Sequence, residues 1–237
     1  GLFFGMTVGT YFAHHLAMHH PEDNEPEDLS TTQPFRRDSA LHLAYYVGRF
    51  LLIGIPELAV YHFRKGKKRI FRDVIAGELF SWAVIAAFAW VDWQATLVVF
   101  LIPLVVVRAG MMVGNWGQHA FLKQDGETPN TLGTTLLDTA HNRRCFNNGY
   151  HALHHNRQAM HWSELPEEYK RREMDYADEG SIVFRGVPTF QMVTFALIFK
   201  RYGYLERHLE RFAGDERTRE ERIADLKALT RPVRLAA

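Results

Sequence analysis

Cysteine is almost absent from this sequence, and its scarcity limits the kinds of cofactor site that the chain can form. Cys145 is the one cysteine in 237 residues. The chain therefore has no internal disulfide framework and no cysteine-rich zinc or iron–sulfur site. Any metal bound here must be held by histidine, carboxylate or amide groups.

An excess of charge of one sign is also missing. Lysine and arginine number 28 against 27 aspartate and glutamate residues, so no basic field predicts a nucleic-acid partner. No flavin or nicotinamide fingerprint and no heme-binding domain is evident, so a redox reaction would need a partner that supplies electrons. No segment resembles a linker between separate cores, which predicts one domain over residues 1–237.

Two long apolar runs stand out against a mean hydropathy of only -0.21. Residues 74–91 and 93–114 each contain one charged residue and approach the ~20 residues that cross a bilayer as a helix. Asp92 separates the runs, and its neighbours Trp90 and Trp93 are typical of a turn at a membrane interface. The sequence predicts a transmembrane hairpin over about 74–114; the alternative is a pair of buried core helices in a soluble bundle.

The segments around the hairpin are more polar. Residues 41–59 show an apolar stripe interrupted by His42, Arg49 and Glu57, which predicts a helix lying in the membrane interface. The basic segment 64–72 places that side of the protein in the cytoplasm, or in the matrix or stroma of an organelle. Two crossings would leave the segments before and after the hairpin on the same side.

Thirteen histidines are the most unusual feature of the composition, and many lie in two clusters. The first is AHHLAMHH at residues 13–20, and the second ends the stretch HNRRCFNNGYHALHH at residues 141–155. In an α-helix, His151, His154 and His155 share one face, because they stand at positions i, i+3 and i+4. Three imidazoles aimed one way predict a metal site.

The first cluster has a different spacing. His15 and His19 stand at i and i+4 on one helical face, whereas His20 is turned by ~100° from His19 and could reach a neighbouring metal. This arrangement suits two ions better than one. At the end of the second apolar run, Asn115 and His119 also stand at i and i+4.

These residues resemble the membrane fatty acid desaturase and hydroxylase superfamily, whose signature is a series of histidine boxes: HxxxH, then HxxHH or HxxxHH, then HxxHH. HLAMHH resembles the second box, HALHH the third, and NWGQH the Asn-x-x-x-His element that follows the last crossing of acyl-CoA desaturases. The resemblance runs from about residue 14 to about 161. It implies an all-α integral membrane helical bundle, with a histidine-rich metal cap from about 14–40 and 115–165 on the cytoplasmic side. The charge pattern of the tail over about 206–237 separately predicts a solvated amphipathic helix.

The resemblance also implies the metal ligands. Matched residue by residue, they are His15, His19, His20, His119, His151, His154 and His155. Asn115 and His141 are weaker candidates, and His14 is expected to contact a ligand or a headgroup; no catalytic residue separate from the ligands is expected. The acidic stretch PEDNEPEDLS is expected to be a solvated loop; the alternative is that its carboxylates fix the ligand tautomers.

The family's first box is not present in this sequence, which begins at Gly1 within an apolar segment. We expect either that the sequence starts partway into the protein or that this box is absent. The missing box would supply two further histidine ligands.

A thiolate-free histidine site suits iron among the redox metals, and zinc is the alternative. The sequence therefore predicts a di-iron, O2-dependent desaturase of lipid acyl chains, acting on a membrane lipid or an acyl-CoA. A hydroxylase with the same ligands and a desaturase-derived accessory subunit of a larger membrane complex are the alternatives. The expected electron donor is an acidic carrier such as cytochrome b5 or ferredoxin, docking on residues 64–72 unless that segment is a lipid-headgroup patch.

Overall fold

The computed structural model describes residues 2–123 and 133–233. Residues 124–132 of the predicted metal cap and 234–237 of the predicted tail lie outside the described residues. The chain divides into two compact units. Unit 1 comprises Gly1–Glu22, Glu27–Ser30 and Tyr45–Met112, and unit 2 comprises Asp23–Pro26, Thr31–Ala44 and Val113–Ala237. This division does not test whether residues 1–237 form one domain, which stays a prediction.

Helices dominate the structure, which confirms the all-α class. From the N-terminus to residue 118 the elements are a 3-10 turn at Leu2–Phe4, a π-helix at Phe12–His19, α1 at His20–Glu22, α2 at Ala40–Arg64, α3 at Lys68–Val91, α4 at Trp93–Thr96, a second π-helix at Leu97–Leu101 and α5 at Ile102–Gln118. From residue 135 they are β1 at Thr135–Leu137, α6 at Ala140–Arg144, α7 at His151–Asn156, α8 at Leu165–Asp178, β2 at Val183–Arg185, α9 at Phe190–Ile198, α10 at Tyr202–His208 and α11 at Arg219–Leu229.

The two apolar runs form long helices, as predicted. Lys68–Val91 and Trp93–Gln118 are both long and apolar enough to cross a membrane. Asp92 separates them in an extended conformation, and its Oδ1 accepts hydrogen bonds from the backbone N–H groups of Gln94 and Ala95 at 3.0 and 2.9 Å. The side chain of Trp90 is 92% exposed. A capped turn with an exposed indole confirms the helical hairpin.

The sequence predicted two helices that could cross a membrane, and the structure has a third. Residues 41–59 belong to a continuous 25-residue helix, Ala40–Arg64, which is also long and apolar enough to cross a membrane. The charges that argued against a crossing neutralise each other, because Arg49 Nη2 lies 2.9 Å from Glu57 Oε1. By length and composition the chain therefore has three candidate spans in its described residues rather than two.

Helix α2 contacts one neighbouring segment near both of its ends. Near its start, the Tyr46 hydroxyl donates to the carbonyl oxygen of Ser30 at 2.7 Å; near its end, Lys65 Nζ lies 3.1 Å from Glu22 Oε1. These contacts are nearly 20 residues apart along the chain, which is about 28 Å of helix. Because both ends contact residues 22–30, α2 lies alongside that segment. Its placement in the interface stays a prediction that labelling can test.

Unit 2 is built on a small core that the sequence did not predict in full. Strands β1 and β2 pair in parallel, with Leu136 opposite Phe184, and both of these residues are fully buried. Parallel strands need a long crossover, and residues 138–182 between them contain α6, α7 and α8. Strands of three residues are too short to show an alternating pattern, so the periodicity of the sequence could not reveal them.

A buried arginine connects distant segments of unit 2. Arg37 is fully buried, and its guanidinium donates to the carbonyl oxygens of Ala120 and Leu229, both at 2.9 Å. The Trp116 indole N–H in turn donates to the Arg37 carbonyl oxygen at 2.8 Å. Arg37 thereby satisfies buried carbonyls and anchors the end of α5 and the residues after it.

The charged tail forms a helix, but it is not solvated throughout. Thr218 and Glu221 form a capping box at the start of α11, as expected for a polar helix. Glu206, however, is 1% exposed and lies 2.9 Å from Arg222 Nη2, with Arg219 3.3 Å away. The prediction of a solvated tail was wrong for Glu206. Its partner Arg222 lies on another helix, and the pattern of charges along one helix cannot predict such a buried ion pair.

Candidate metal centre

The first histidine cluster lies on a π-helix rather than an α-helix. Phe12–His19 is wound as a π-helix, whose backbone N–H groups bond five positions back, and His20 N–H accordingly donates to the His15 carbonyl oxygen. Side chains five apart therefore stand one turn apart. The prediction that His15 and His19 share a face assumed α-helical winding, and the structure pairs the histidines differently.

His15 and His20 form the close pair of this cluster. Their Nε2 atoms are 3.1 Å apart, and their ring centroids are 4.4 Å apart at an interplanar angle of 67°. His19 is 1% exposed, with its ring centroid 5.6 Å from that of His15. All three predicted ligands of the first cluster therefore lie together in unit 1.

A buried carboxylate fixes the orientation of His19. Asp28 Oδ2 lies 2.6 Å from His19 Nδ1, and both side chains are almost fully buried. Ser30 Oγ donates to the other Asp28 oxygen at 2.6 Å. Burial acts to raise the pKa of Asp28, but His19 and the hydrogen bonds from Ser30 outweigh it and hold that pKa at about 2. Asp28 is thus a carboxylate that accepts the Nδ1 proton, which leaves Nε2 as the atom able to bind a metal.

The second cluster lies in unit 2, on α7 and at the end of α5. His119 Nε2 and His151 Nε2 are 3.0 Å apart, and the His151 and His155 rings are 4.5 Å apart at 71°. His119, His151 and His155 are each at most 5% exposed. His154, on the same helix, is half-buried, and its ring lies 6.0 Å from that of His155. The four predicted ligands of the second cluster are thereby brought together.

A second carboxylate from the same acidic stretch faces His155. Asp23 Oδ1 lies 2.6 Å from His155 Nδ1. Asp23 and Asn24 have φ values of +46° and +62°, in the left-handed region that aspartate and asparagine tolerate better than most residues. Asn24 Oδ1 also accepts the backbone N–H of Thr32 at 2.8 Å, which fixes this turn. The stretch PEDNEPEDLS is therefore not a solvated loop here: it supplies one carboxylate to each cluster.

The two boxes present matched pairs of rings despite their different spacing. His15 and His20 are five apart on a π-helix, whereas His151 and His155 are four apart on an α-helix. The ring geometries nevertheless agree, at 4.4 Å and 67° against 4.5 Å and 71°. The wider winding of the first helix compensates for the extra residue in its box.

Close packing positions His119 at the end of α5. A Cβ atom at Gly117 would collide with the carbonyl oxygen of Phe190 and lie 2.8 Å from Thr194 Oγ1, so only glycine permits this approach of α9. Thr32 Oγ1 donates to the His119 carbonyl oxygen at 2.6 Å. Sequence analysis missed Gly117, Thr32 and Ser30 as supporting residues. The glycine inside NWGQH was the available signal, because a glycine inside a helix often marks a close approach.

Asn115 and His141 are the weaker candidates for metal ligands, and His14 is expected to contact a ligand or a headgroup. Asn115 is 8% exposed and stands one turn before His119. The His141 ring packs edge-on against Phe190, with centroids 5.6 Å apart. The His14 ring lies 6.4 Å from that of His19, and burial first, with the nearby His19, lowers the His14 pKa to about 4. His14 is therefore neutral at neutral pH and lies beside His19, one of the predicted ligands.

The donor atoms fit a metal bound through imidazole nitrogen. Two imidazoles bound to a metal at about 2.1 Å and at right angles to each other have nitrogens about 3.0 Å apart, against about 3.4 Å in a tetrahedral site. The two Nε2 pairs, at 3.1 and 3.0 Å, are close enough for both nitrogens of a pair to bind one ion. No thiolate is near, and each cluster includes an imidazole whose Nδ1 faces a carboxylate. The donor set is therefore compatible with metal binding.

Comparison with known proteins gives the family. The model of the family described as fatty acid desaturase matches residues 1–187, which include both boxes and all three candidate spans. No curated protein and no solved structure matches the chain. With most of its length matched, the chain belongs to the fatty acid desaturase family.

Proposed function

We propose that this protein is an O2-dependent desaturase of lipid acyl chains that uses a histidine-ligated di-iron centre. Family membership and the histidine clusters support a desaturase-like or hydroxylase-like protein. Iron, the reaction and the joint use of both clusters belong to the proposal. The apolar helices are long enough for a protein that takes its substrate from a bilayer.

The observation that supports the proposal best is the duplication of one arrangement. Each cluster has two Nε2 atoms about 3 Å apart, which is close enough for both to bind one metal ion. Each also has a histidine whose Nδ1 lies 2.6 Å from a carboxylate oxygen. Two histidine clusters that share these features suit two metal ions better than one. A closed structural zinc site needs only four ligands, whereas seven histidines are available here.

In the proposed reaction, carboxylates of the chain would orient the imidazoles that bind the metal. Asp28 and Asp23 accept the Nδ1 protons of His19 and His155, so that Nε2 is the basic nitrogen of each ring. When bound, iron would supply the activation of O2 that removal of hydrogen from an unactivated methylene requires. The balanced reaction converts CH2–CH2, O2, two electrons and two protons into CH=CH and two waters. The protein also excludes bulk water, because most of these imidazoles are buried.

A carrier outside these 237 residues must supply the two electrons. The segment from Arg64 to Arg72 contains six basic residues, and the Arg69 side chain is 90% exposed. Lys65 already pairs with Glu22 and Glu27, and Lys67 Nζ donates to the Ala17 carbonyl oxygen at 2.7 Å. The exposed remainder of the segment suits an acidic carrier such as cytochrome b5 or ferredoxin, whose docking would weaken with added salt.

The test is reconstitution in lipid with a reductase, a carrier and oxygen, followed by mass analysis of acyl-CoA, acyl-lipid and sphingoid substrates. Loss of two hydrogens is the expected result, with iron approaching two per chain when the upstream histidine box is present. His151→Ala should abolish turnover and reduce iron content. His161→Ala is the matched control, because that histidine is exposed and contacts Ser163 rather than either cluster.

Other products would replace the proposal with a named alternative. A gain of one oxygen would identify a hydroxylase with the same ligands. One zinc per chain, unaffected by His151→Ala, would indicate a structural site. An iron-loaded protein without either product, co-purifying with a membrane complex that survives His151→Ala, would identify an accessory subunit.

A further inference from the structure

Helix α9 is apolar on both of its faces, and only one face is covered by the protein. Phe190, Val193 and Leu197 are at most 2% exposed and belong to the main core of unit 2. On the other face, Met192 and Phe195 are 40% and 45% exposed, and Phe199, which directly follows the helix, is 70% exposed. A helix that is apolar all round is expected to be buried, so the second face requires an apolar cover.

The exposed face of α9 forms one wall of an open groove. The groove has a volume of about 780 Å³ and is completed by α10, with Arg201, Tyr204 and Arg207 at its edge. No acidic side chain lines it in the described part of the chain. Protein surfaces that lie in the headgroup region of a bilayer typically combine apolar residues such as phenylalanine and methionine with neighbouring arginine and tyrosine.

From this composition we infer that α9 and α10 form a lipid-contacting surface that inserts Met192, Phe195 and Phe199 into the acyl boundary of a membrane. Arg201 and Arg207 then bind the phosphates of anionic lipids, while their aliphatic stems extend over the apolar groove. The surface lies beyond residue 187, where the family match ends, so family membership does not assign it. It is also independent of the proposed reaction, because it includes none of the predicted ligands.

A bilayer fits the groove better than a protein partner does. The cations at its edge carry charge of one sign, which suits anionic headgroups. A second copy of this chain would bring the same arginines face to face across a two-fold axis, which like charges disfavour. Since the chain belongs to a membrane protein family, lipid is also the partner present at high local concentration.

The test uses the full chain in nanodiscs, with Cys145→Ser as the background and an environment-sensitive fluorophore on Phe199→Cys. Lipids spin-labelled near the headgroup should quench the fluorophore several-fold more strongly than they quench the same dye on Lys170→Cys, an exposed position on α8. Arg201→Ser with Arg207→Ser should reduce the quenching in anionic lipid and leave it unchanged in zwitterionic lipid.

Two outcomes would overturn the inference. Quenching at position 199 no stronger than at position 170 would show that the face does not contact lipid. A blue-shifted dye that lipid does not quench, with cross-links between position 199 of two copies, would assign the face to a dimer interface. Monodisperse elution of each labelled variant establishes that the chain is folded, so either result is decisive.

Discussion

The Oδ1 atom of Asp23 lies 2.6 Å from Nδ1 of His155, and five residues further along the chain Asp28 stands at the same distance from His19. We expect Asp23→Asn and Asp28→Asn to weaken metal binding by about 10- to 100-fold each, because an amide no longer favours the tautomer that leaves Nε2 free to bind. Metal titration of the purified variants measures this loss.

Glu27→Gln is the matched control for that pair. Glu27 comes from the same acidic stretch, but its carboxylate is 64% exposed and pairs with Lys65 rather than with a histidine. Metal affinity should be unchanged in this variant. Equal losses in all three variants would mean that the net charge of the segment matters, and not the orientation of individual imidazoles.

The number of membrane crossings can be measured with single cysteines. In a Cys145→Ser background, we expect Glu27→Cys and Ala159→Cys to react with an impermeant maleimide from the same side of a proteoliposome. Trp90→Cys, at the turn of the hairpin, should react from the opposite side. If positions 27 and 159 react from opposite sides, α2 crosses the membrane, and the histidine clusters cannot share one centre.

Asp38 provides a test of stability against pH. It lies 2.7 Å from Lys200 Nζ and 2.8 Å from the Tyr202 hydroxyl. Burial acts to raise its pKa, but the hydrogen bonds from Lys200, Arg36 and Tyr202 outweigh it, so the pKa falls from 3.8 to about 2. A depressed pKa stabilises the fold above the unfolded-state value and ceases to do so as pH falls through the folded-state value.

Asp38→Asn should therefore lower the free energy of unfolding by about 2 kcal/mol at pH 7. The difference from the parent protein should shrink below about pH 4 and vanish near pH 2, as followed by denaturant unfolding in detergent. Asp175→Asn, whose side chain is 60% exposed beside Arg172, should cost less than about 1 kcal/mol at any pH. A pH-independent loss at Asp38 would assign its contribution to packing.

Gly117→Ala tests the close packing behind His119. Because the added methyl group collides with the Phe190 carbonyl oxygen, we expect a loss of about 1–3 kcal/mol and a lower metal content. Gly48→Ala is the control, since a Cβ there would meet nothing within 4 Å. That variant should be neutral or slightly stabilising, as for most glycines replaced inside a helix. Equal melting temperatures for both variants would contradict the packing argument.

The sequence predicted those features that depend on composition and local spacing. The hairpin and its turn at Asp92 follow from the apolar runs, and both histidine clusters follow from their boxes. The carboxylates at Asp23 and Asp28 were only an alternative to a solvated loop, because their contacts with His155 and His19 depend on how the acidic stretch turns. The hairpin and the histidine clusters were predictable because each depends on residues close together in the chain.

What the sequence did not reveal depends on winding or on distant partners. The pairing of His15 with His20 requires a π-helix, which no hydrophobic period indicates. The neutralisation of Arg49 by Glu57 changes how α2 is interpreted, and it joins side chains two turns apart. The burial of Glu206 depends on Arg222, which lies 16 residues later in the chain.

At the first box, the π-helix compensates for one extra residue between the outer two histidines, so that they still lie one turn apart. Removing Ala17 would turn HLAMHH into HLMHH, and ordinary α-helical winding would then return the outer two histidines to neighbouring turns. Two motifs that differ as strings of letters therefore describe one arrangement of imidazoles. An insertion or deletion inside such a box is a change of helical pitch, and an alignment that penalises it as a gap overstates how far apart two such proteins are.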